Sequence, residues 1–113
     1  MGIKKEWIQT LGILLGITAS VSAVAQNAGL DLAKSKACMA CHQVETKRVG
    51  PPLASVAQRY AGGGPEVTEY LMGKIRLGGR GAWGAVPMPA QSHVKEAEAR
   101  DLAQWILTLN STN

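Results

Sequence analysis

Cys38-Met39-Ala40-Cys41-His42 holds both cysteines of the 113-residue chain and one of its two histidines. A Cys-x-x-Cys pair serves as a dithiol redox centre, half of a zinc site, a strained disulfide, or the attachment point of a c-type haem. A zinc site needs four ligands, usually two Cys pairs or one pair with two spaced histidines. Here there is no third cysteine, and the other histidine is His93. A thioredoxin-like dithiol belongs at the start of a helix that follows a strand. This pair is expected toward the end of a helix, with no strand near. A disulfide across two residues closes a tiny loop and adds little. Haem attachment uses every part of the motif. The thiols of Cys38 and Cys41 add to two vinyl groups as thioethers, and the two intervening residues set both sulfurs along one haem edge. His42 then turns its imidazole to the iron as the first axial ligand.

The N-terminus reads as a secretory leader. Lys4 and Lys5 precede an apolar stretch, and Ala23-Val24-Ala25 supplies the small-x-small pattern of a cleavage site. Residues 1–25 are therefore expected to be a signal peptide, and residues 26–113 the mature domain. An uncleaved anchor is the rival, since no charge falls between Glu6 and Asp31. Its dense apolar core runs only from Leu11 to Ala19, short of the roughly 20 residues a span needs. The export expected from this leader places the protein in the periplasm.

The mature chain has ten basic and seven acidic residues, a net charge of +3. It contains no basic block and no interleaving of Lys/Arg with aromatics, which excludes nucleic acid as the expected partner. It has no Phe, two Trp and two Tyr, a thin core for a domain that must bury apolar surface. A large apolar group from outside the chain would complete it.

The periodicity predicts four short helices. The first covers Asp31 to Cys41. The second, Leu53 to Tyr60, follows the break at Gly50-Pro51-Pro52 and spaces Leu53, Val56, Ala57 and Tyr60 on one face. The third runs from Pro65 to Leu77, with Leu71, Met72 and Ile75 inward and Gly78-Gly79 as its stop. The fourth runs from Lys95 to Leu109, with Ala99, Leu102, Ile106 and Leu109 on a stripe beside Trp105. A Gly/Pro-rich loop fills residues 78–92. Nothing alternates cleanly enough for a strand, so the fold class is all-α.

The second axial ligand decides between a carrier and an enzyme. Met88 lies between Pro87 and Pro89, whose fixed φ and missing donors keep the segment stiff and extended. That makes its thioether the favoured ligand. Met72 sits at helical spacing among apolar neighbours and reads as core. Met39 lies within the attachment motif, and His93 stays open as a bis-histidine alternative.

The run CMACH, then RVGPPL, GRGAWGAVPMPA and LAQWILTL, resembles a class I cytochrome c, specifically the short bacterial periplasmic c-551/c-552 type. The likeness covers nearly all of the mature chain, with the motifs in family order. It implies a small class I cytochrome c fold of four short helices around one covalently bound haem c. It also implies that the Pro51 carbonyl accepts from His42, that Met88 binds iron, and that Trp83 reaches a haem propionate. Lys74 stands where an arginine often serves a propionate, and a lysine cannot form that bidentate fork. Ala33 replaces an aromatic of the first helix, which implies a looser contact with the last helix or a larger share for Trp105. Gln91 or Ser92 stands near the place of an asparagine that tunes the methionine sulfur in relatives.

The function expected is that of a periplasmic monohaem one-electron carrier with a positive potential, since His/Met ligation favours ferrous iron. Val56, Leu71, Ile75, Val86 and Ile106 are the expected apolar haem walls. No catalytic residue and no small-molecule substrate are expected, and a monomer is. Partners would be transient redox proteins such as a terminal oxidase, a nitrite reductase or another cytochrome. Lys36, Lys47, Arg48, Lys74, Arg76 and Arg80 would form a positive ring for an acidic docking face. Two other functions stay open: a haem enzyme or gas sensor with an open sixth position, and a haem-free thiol oxidoreductase.

Overall fold

The last helix carries the core. In the computed structural model, which describes residue 2 and residues 20–111 (the side chains of 20–22 and 111 excepted), α4 runs Glu96–Thr108. Ala99, Leu102, Ala103, Trp105 and Ile106 recur at helical spacing and all are buried. Glu98 reaches back to fix the start of α4, accepting from the Lys95 N–H at Oε2, 2.9 Å. Lys36 Nζ adds an ion pair to Glu98 Oε1 at 2.8 Å. These two partners, Lys36 foremost, hold the Glu98 carboxyl below the usual carboxylate range.

Three helices pack on α4: α1 (Ser20–Ser35), α2 (Leu53–Arg59) and α3 (Gly64–Leu77). Ala33 from α1, Leu53, Val56 and Ala57 from α2, and Leu71, Met72 and Ile75 from α3 close the core. Each large apolar side chain so buried contributes about 1.5–3 kcal/mol relative to exposure. The all-α class with about four helices is the observed one.

The first helix departs from expectation at both ends. It already includes Ser20, well ahead of Asp31, and it stops at Ser35 rather than running through the cysteines. Ala37 adopts φ 62, a left-handed conformation, and the chain then enters a 3-10 turn over Cys38–Ala40. Left-handed residues that end helices are usually glycine, so an alanine gave no stop signal. Ala37→Gly is expected to stabilise the protein by about 1 kcal/mol, because the left-handed form costs an L-residue about 1–2 kcal/mol, partly offset by glycine's unfolded-state entropy. Urea unfolding should show a higher midpoint at unchanged slope. A lower midpoint would mean that Ala37 is not strained.

The contact between α1 and α4 is tight, not loose. Ala33 is 1% exposed and Trp105 6%. A Cβ at Gly29 would lie 2.0 Å from Trp105 Cγ. The indole thus lies directly on the α1 backbone at Gly29. Its Nε1 is buried without a hydrogen-bond partner. Of the expected leader, residues 1 and 3–19 lie outside the described residues, and 20–25 belong to α1. Residues 23–28 are exposed, so α1 begins to pack only at Gly29. Among the described residues, no helix is long and apolar enough to cross a membrane.

The Gly/Pro-rich loop, expected to hold no strand, contains an antiparallel ribbon of β1 (Gly79–Gly81) and β2 (Gly84–Met88). Gly79 pairs with Met88 and Gly81 with Gly84. The ribbon is solvated on both faces, so no apolar/polar alternation marks it in the sequence. Its root is pressed on the end of α3. Gly78 has φ 72, and a Cβ there would lie 2.4 Å from the Met88 carbonyl oxygen. The Gln91 N–H donates to the Ile75 carbonyl at 3.0 Å. Together these fix the Pro-Met-Pro segment against α3.

Candidate haem site

The spacing of the two cysteines gains its meaning from the turn that carries them. In a 3-10 turn, side chains at i and i+3 eclipse one another. Cys38 and Cys41 are that pair, with the Cys41 N–H donating to the Cys38 carbonyl at 3.2 Å. No disulfide joins Cys38, which is half-buried, to Cys41, which is exposed. Burial pushes the Cys38 thiol up from its ordinary value.

His42 follows directly and is aimed by its neighbours. The His42 N–H donates to the Cys38 carbonyl at 3.0 Å. The Cys41 carbonyl accepts from Val49 N–H at 3.1 Å and Gly50 N–H at 2.8 Å. These bonds tie residues 49–51 to the motif and bring the Pro51 carbonyl 2.8 Å from His42 Nδ1. A carbonyl only accepts, so the imidazole proton sits on Nδ1 and Nε2 keeps its lone pair for a metal. Gly50 makes this possible, because a Cβ there would lie 2.6 Å from His42 Cε1.

A cleft of ≈ 320 Å³ opens beside this cradle. One wall is Lys47, Val49, Gly50, Pro51 and Pro52 with Ser55, and the other is Trp83 to Val86 on the ribbon. The structure thus brings Pro51, Trp83 and Val86 to one cleft. Val86 is 66% exposed at its edge, whereas Val56, Leu71, Ile75 and Ile106 lie within the core. Cys38 and Met88 both pack half-buried on that core. Met72 is 4% exposed inside it. Lys74 does not line the cleft; its ammonium lies 5.2 Å from the centroid of the Tyr70 ring. His93 is exposed, with Nε2 3.0 Å from the Lys36 carbonyl oxygen.

These residues fit a haem. Cys38 and Cys41 offer two thiols on one 3-10 turn, His42 an imidazole with its outer nitrogen fixed, and Met88 a thioether between prolines, though none of the four lines the cleft itself. Beside them lies a cleft whose walls expose Val49, Trp83 and Val86. Of the cations expected around it, Lys36 is paired with Glu98, while Lys47, Arg48, Arg76 and Arg80 are exposed and make no ion pair among the described residues. The sequence reading missed Arg59, whose guanidinium covers Trp83 at 3.8 Å. Nothing in the linear pattern joins two residues 24 positions apart.

The comparisons with known proteins point to one family. A model of the cytochrome c family matches residues 26–110. Cytochrome c-552 of Hydrogenobacter thermophilus is 56% identical over 78 residues, 69% of this chain and 78% of its own. Cytochrome c-552 of Nitrosomonas europaea is 48% identical over 107 residues, 95% of this chain and 99% of its own. The crystal structure of wild-type N. europaea cytochrome c552 superposes with a TM-score of 0.69 at 52% identity, covering 72% of this chain and 99% of that one. The chain therefore belongs to the cytochrome c family, in its small class I bacterial c-551/c-552 type, and is a monohaem electron carrier rather than an enzyme.

Proposed function

We propose that the protein is exported to the periplasm, cleaved after Ala25, and loaded with one haem c through thioethers to Cys38 and Cys41. His42 Nε2 and the Met88 sulfur would hold its iron. The observation that carries this reading is the His42–Pro51 contact of 2.8 Å, which fixes the tautomer and leaves Nε2 free to bind a metal. When bound, the haem iron supplies the ferric–ferrous couple. The residues of the chain do the rest. Pro51 keeps the proton on Nδ1 and raises the donor strength of the imidazole. Pro87 and Pro89 would keep the Met88 thioether in place on the iron and so shield it from water. Trp83 lines the cleft and is a propionate donor through its indole N–H, with Lys74 a second and weaker candidate.

Removal of the leader is supported by where packing begins. Residues 23–28 are all exposed, and Gly29 is the first of the run to be buried. The solved N. europaea chain also matches over 99% of its length while covering only 72% of this chain. The unpaired cations Lys47 and Arg48 stand next to exposed Val49 at the cleft, a surface suited to weak docking of an acidic redox protein.

The direct test changes the thiols. Cys38→Ala/Cys41→Ala protein is expected to leave no haem stain on a denaturing gel, and either single variant to keep at most one thioether. A double variant that still stains would contradict the attachment.

A further inference from the structure

Arg59 closes α2, and none of the roles above falls to it. Its guanidinium lies 3.8 Å from the centroid of the Trp83 ring. Its Nη1 donates to the Ala82 carbonyl at 2.6 Å. Ala82 and Trp83 form the turn between β1 and β2. One planar group therefore stacks on a side chain and bonds the adjoining backbone at once, which a guanidinium does and an ammonium does not.

The ribbon needs such a hold. Strands of three and five residues, almost wholly exposed, are marginal without further packing. Their root is fixed by Gly78 against the Met88 carbonyl and by Gln91 on Ile75. Arg59 is a hold at the other end. It joins the two walls of the cleft, since α2 supplies Ser55 to one wall and, through Arg59, grips Trp83 on the other.

We propose that Arg59 is a positioning residue, a latch that keeps the ribbon shut on α2 and so keeps Met88, on the same strand as the gripped turn, at the sixth position. The inference rests on the reading of Met88 as a ligand. For an electron carrier the latch matters because a ligand that stays in place excludes water and leaves the iron site alike in both oxidation states.

The test uses the haem-loaded protein with Arg59→Gln and Arg59→Lys, and Arg100→Gln as control. Arg100 pairs with Glu69 at 2.7 Å, joining α4 to α3 apart from the ribbon. The first readout is the rate at which imidazole enters the ferric protein, a step that requires Met88 to leave. In Arg59→Gln it should rise about tenfold, the worth of one exposed cation–π contact plus one hydrogen bond. Arg59→Lys should rise nearly as much. The second readout is amide hydrogen exchange at Trp83 and Gly84, which reports the ribbon without reference to the iron and should quicken by a similar factor. Arg100→Gln should change neither.

Wild-type rates and exchange in Arg59→Gln would overturn the latch. So would full rescue by Arg59→Lys, which would make Arg59 a bare charge, or equal acceleration by Arg100→Gln, which would make it general stability. A wild-type protein that takes up imidazole with no barrier would overturn the Met88 reading instead, and the exchange data would still decide whether the ribbon is latched.

Discussion

Met88→Ala is expected to convert the carrier into a protein with an open iron site. The variant should bind carbon monoxide readily when reduced, where the wild type binds little, and gain weak peroxidase activity when oxidised. Its potential should fall, because a soft thioether favours ferrous iron and water does not. A tenfold loss of that preference is about 59 mV for one electron, and a fall of at least that size is expected. The fold should survive, since Cys38, Cys41 and His42 still hold the cofactor and Met88 is only half-buried. Met72→Ala separates ligation from packing. Met72 is 4% exposed in the core, so its truncation should cost about 2–5 kcal/mol with ligation unchanged. Spectra and carbon monoxide titration of both variants check the pair. Wild-type ligation in Met88→Ala with loss of it in Met72→Ala would reverse the assignment of ribbon and helix.

Gly50→Ala is expected to disturb the other axial position. The new Cβ would stand 2.6 Å from His42 Cε1 and 2.9 Å from Nδ1, closer than real side chains approach. The ring must tilt, and the 2.8 Å contact with the Pro51 carbonyl is lost or lengthened. Two effects follow. Overpacking should lower stability by about 1–3 kcal/mol. A histidine whose outer nitrogen is no longer bonded is a weaker donor, so ferric iron is less well supported and the potential should rise, opposite in sign to Met88→Ala. Voltammetry of the two variants reads the signs directly. A falling potential in Gly50→Ala would mean that the carbonyl does not tune the imidazole.

The parts of the fold that bury a face were legible in the sequence. The stripe of Ala99, Leu102 and Ile106 on α4, continued by Leu109 just past its end, is buried as its spacing implies, with Trp105 beside it. The helices at Leu53 and near Pro65 begin within a residue of where their breakers place them. What could not be read has no burial to mark it. The ribbon is exposed on both faces and reads as loop. The end of α1 depends on a left-handed alanine, where only glycine would have announced a stop. At the site, the motif and Met88 stand out because their chemistry is local. Lys74 and Arg59 do not, because a long cation's position is decided by which ring lies within reach. For Lys74 that ring is Tyr70, and for Arg59 it is Trp83.

The central claim is one covalently held haem on a processed chain, and the mass of the intact exported protein tests it most directly. The account predicts a single species equal to residues 26–113 plus one haem, with no titratable thiol, unchanged by acid acetone. A species that retains residues 1–25, or one lacking haem and carrying two free thiols, would contradict it.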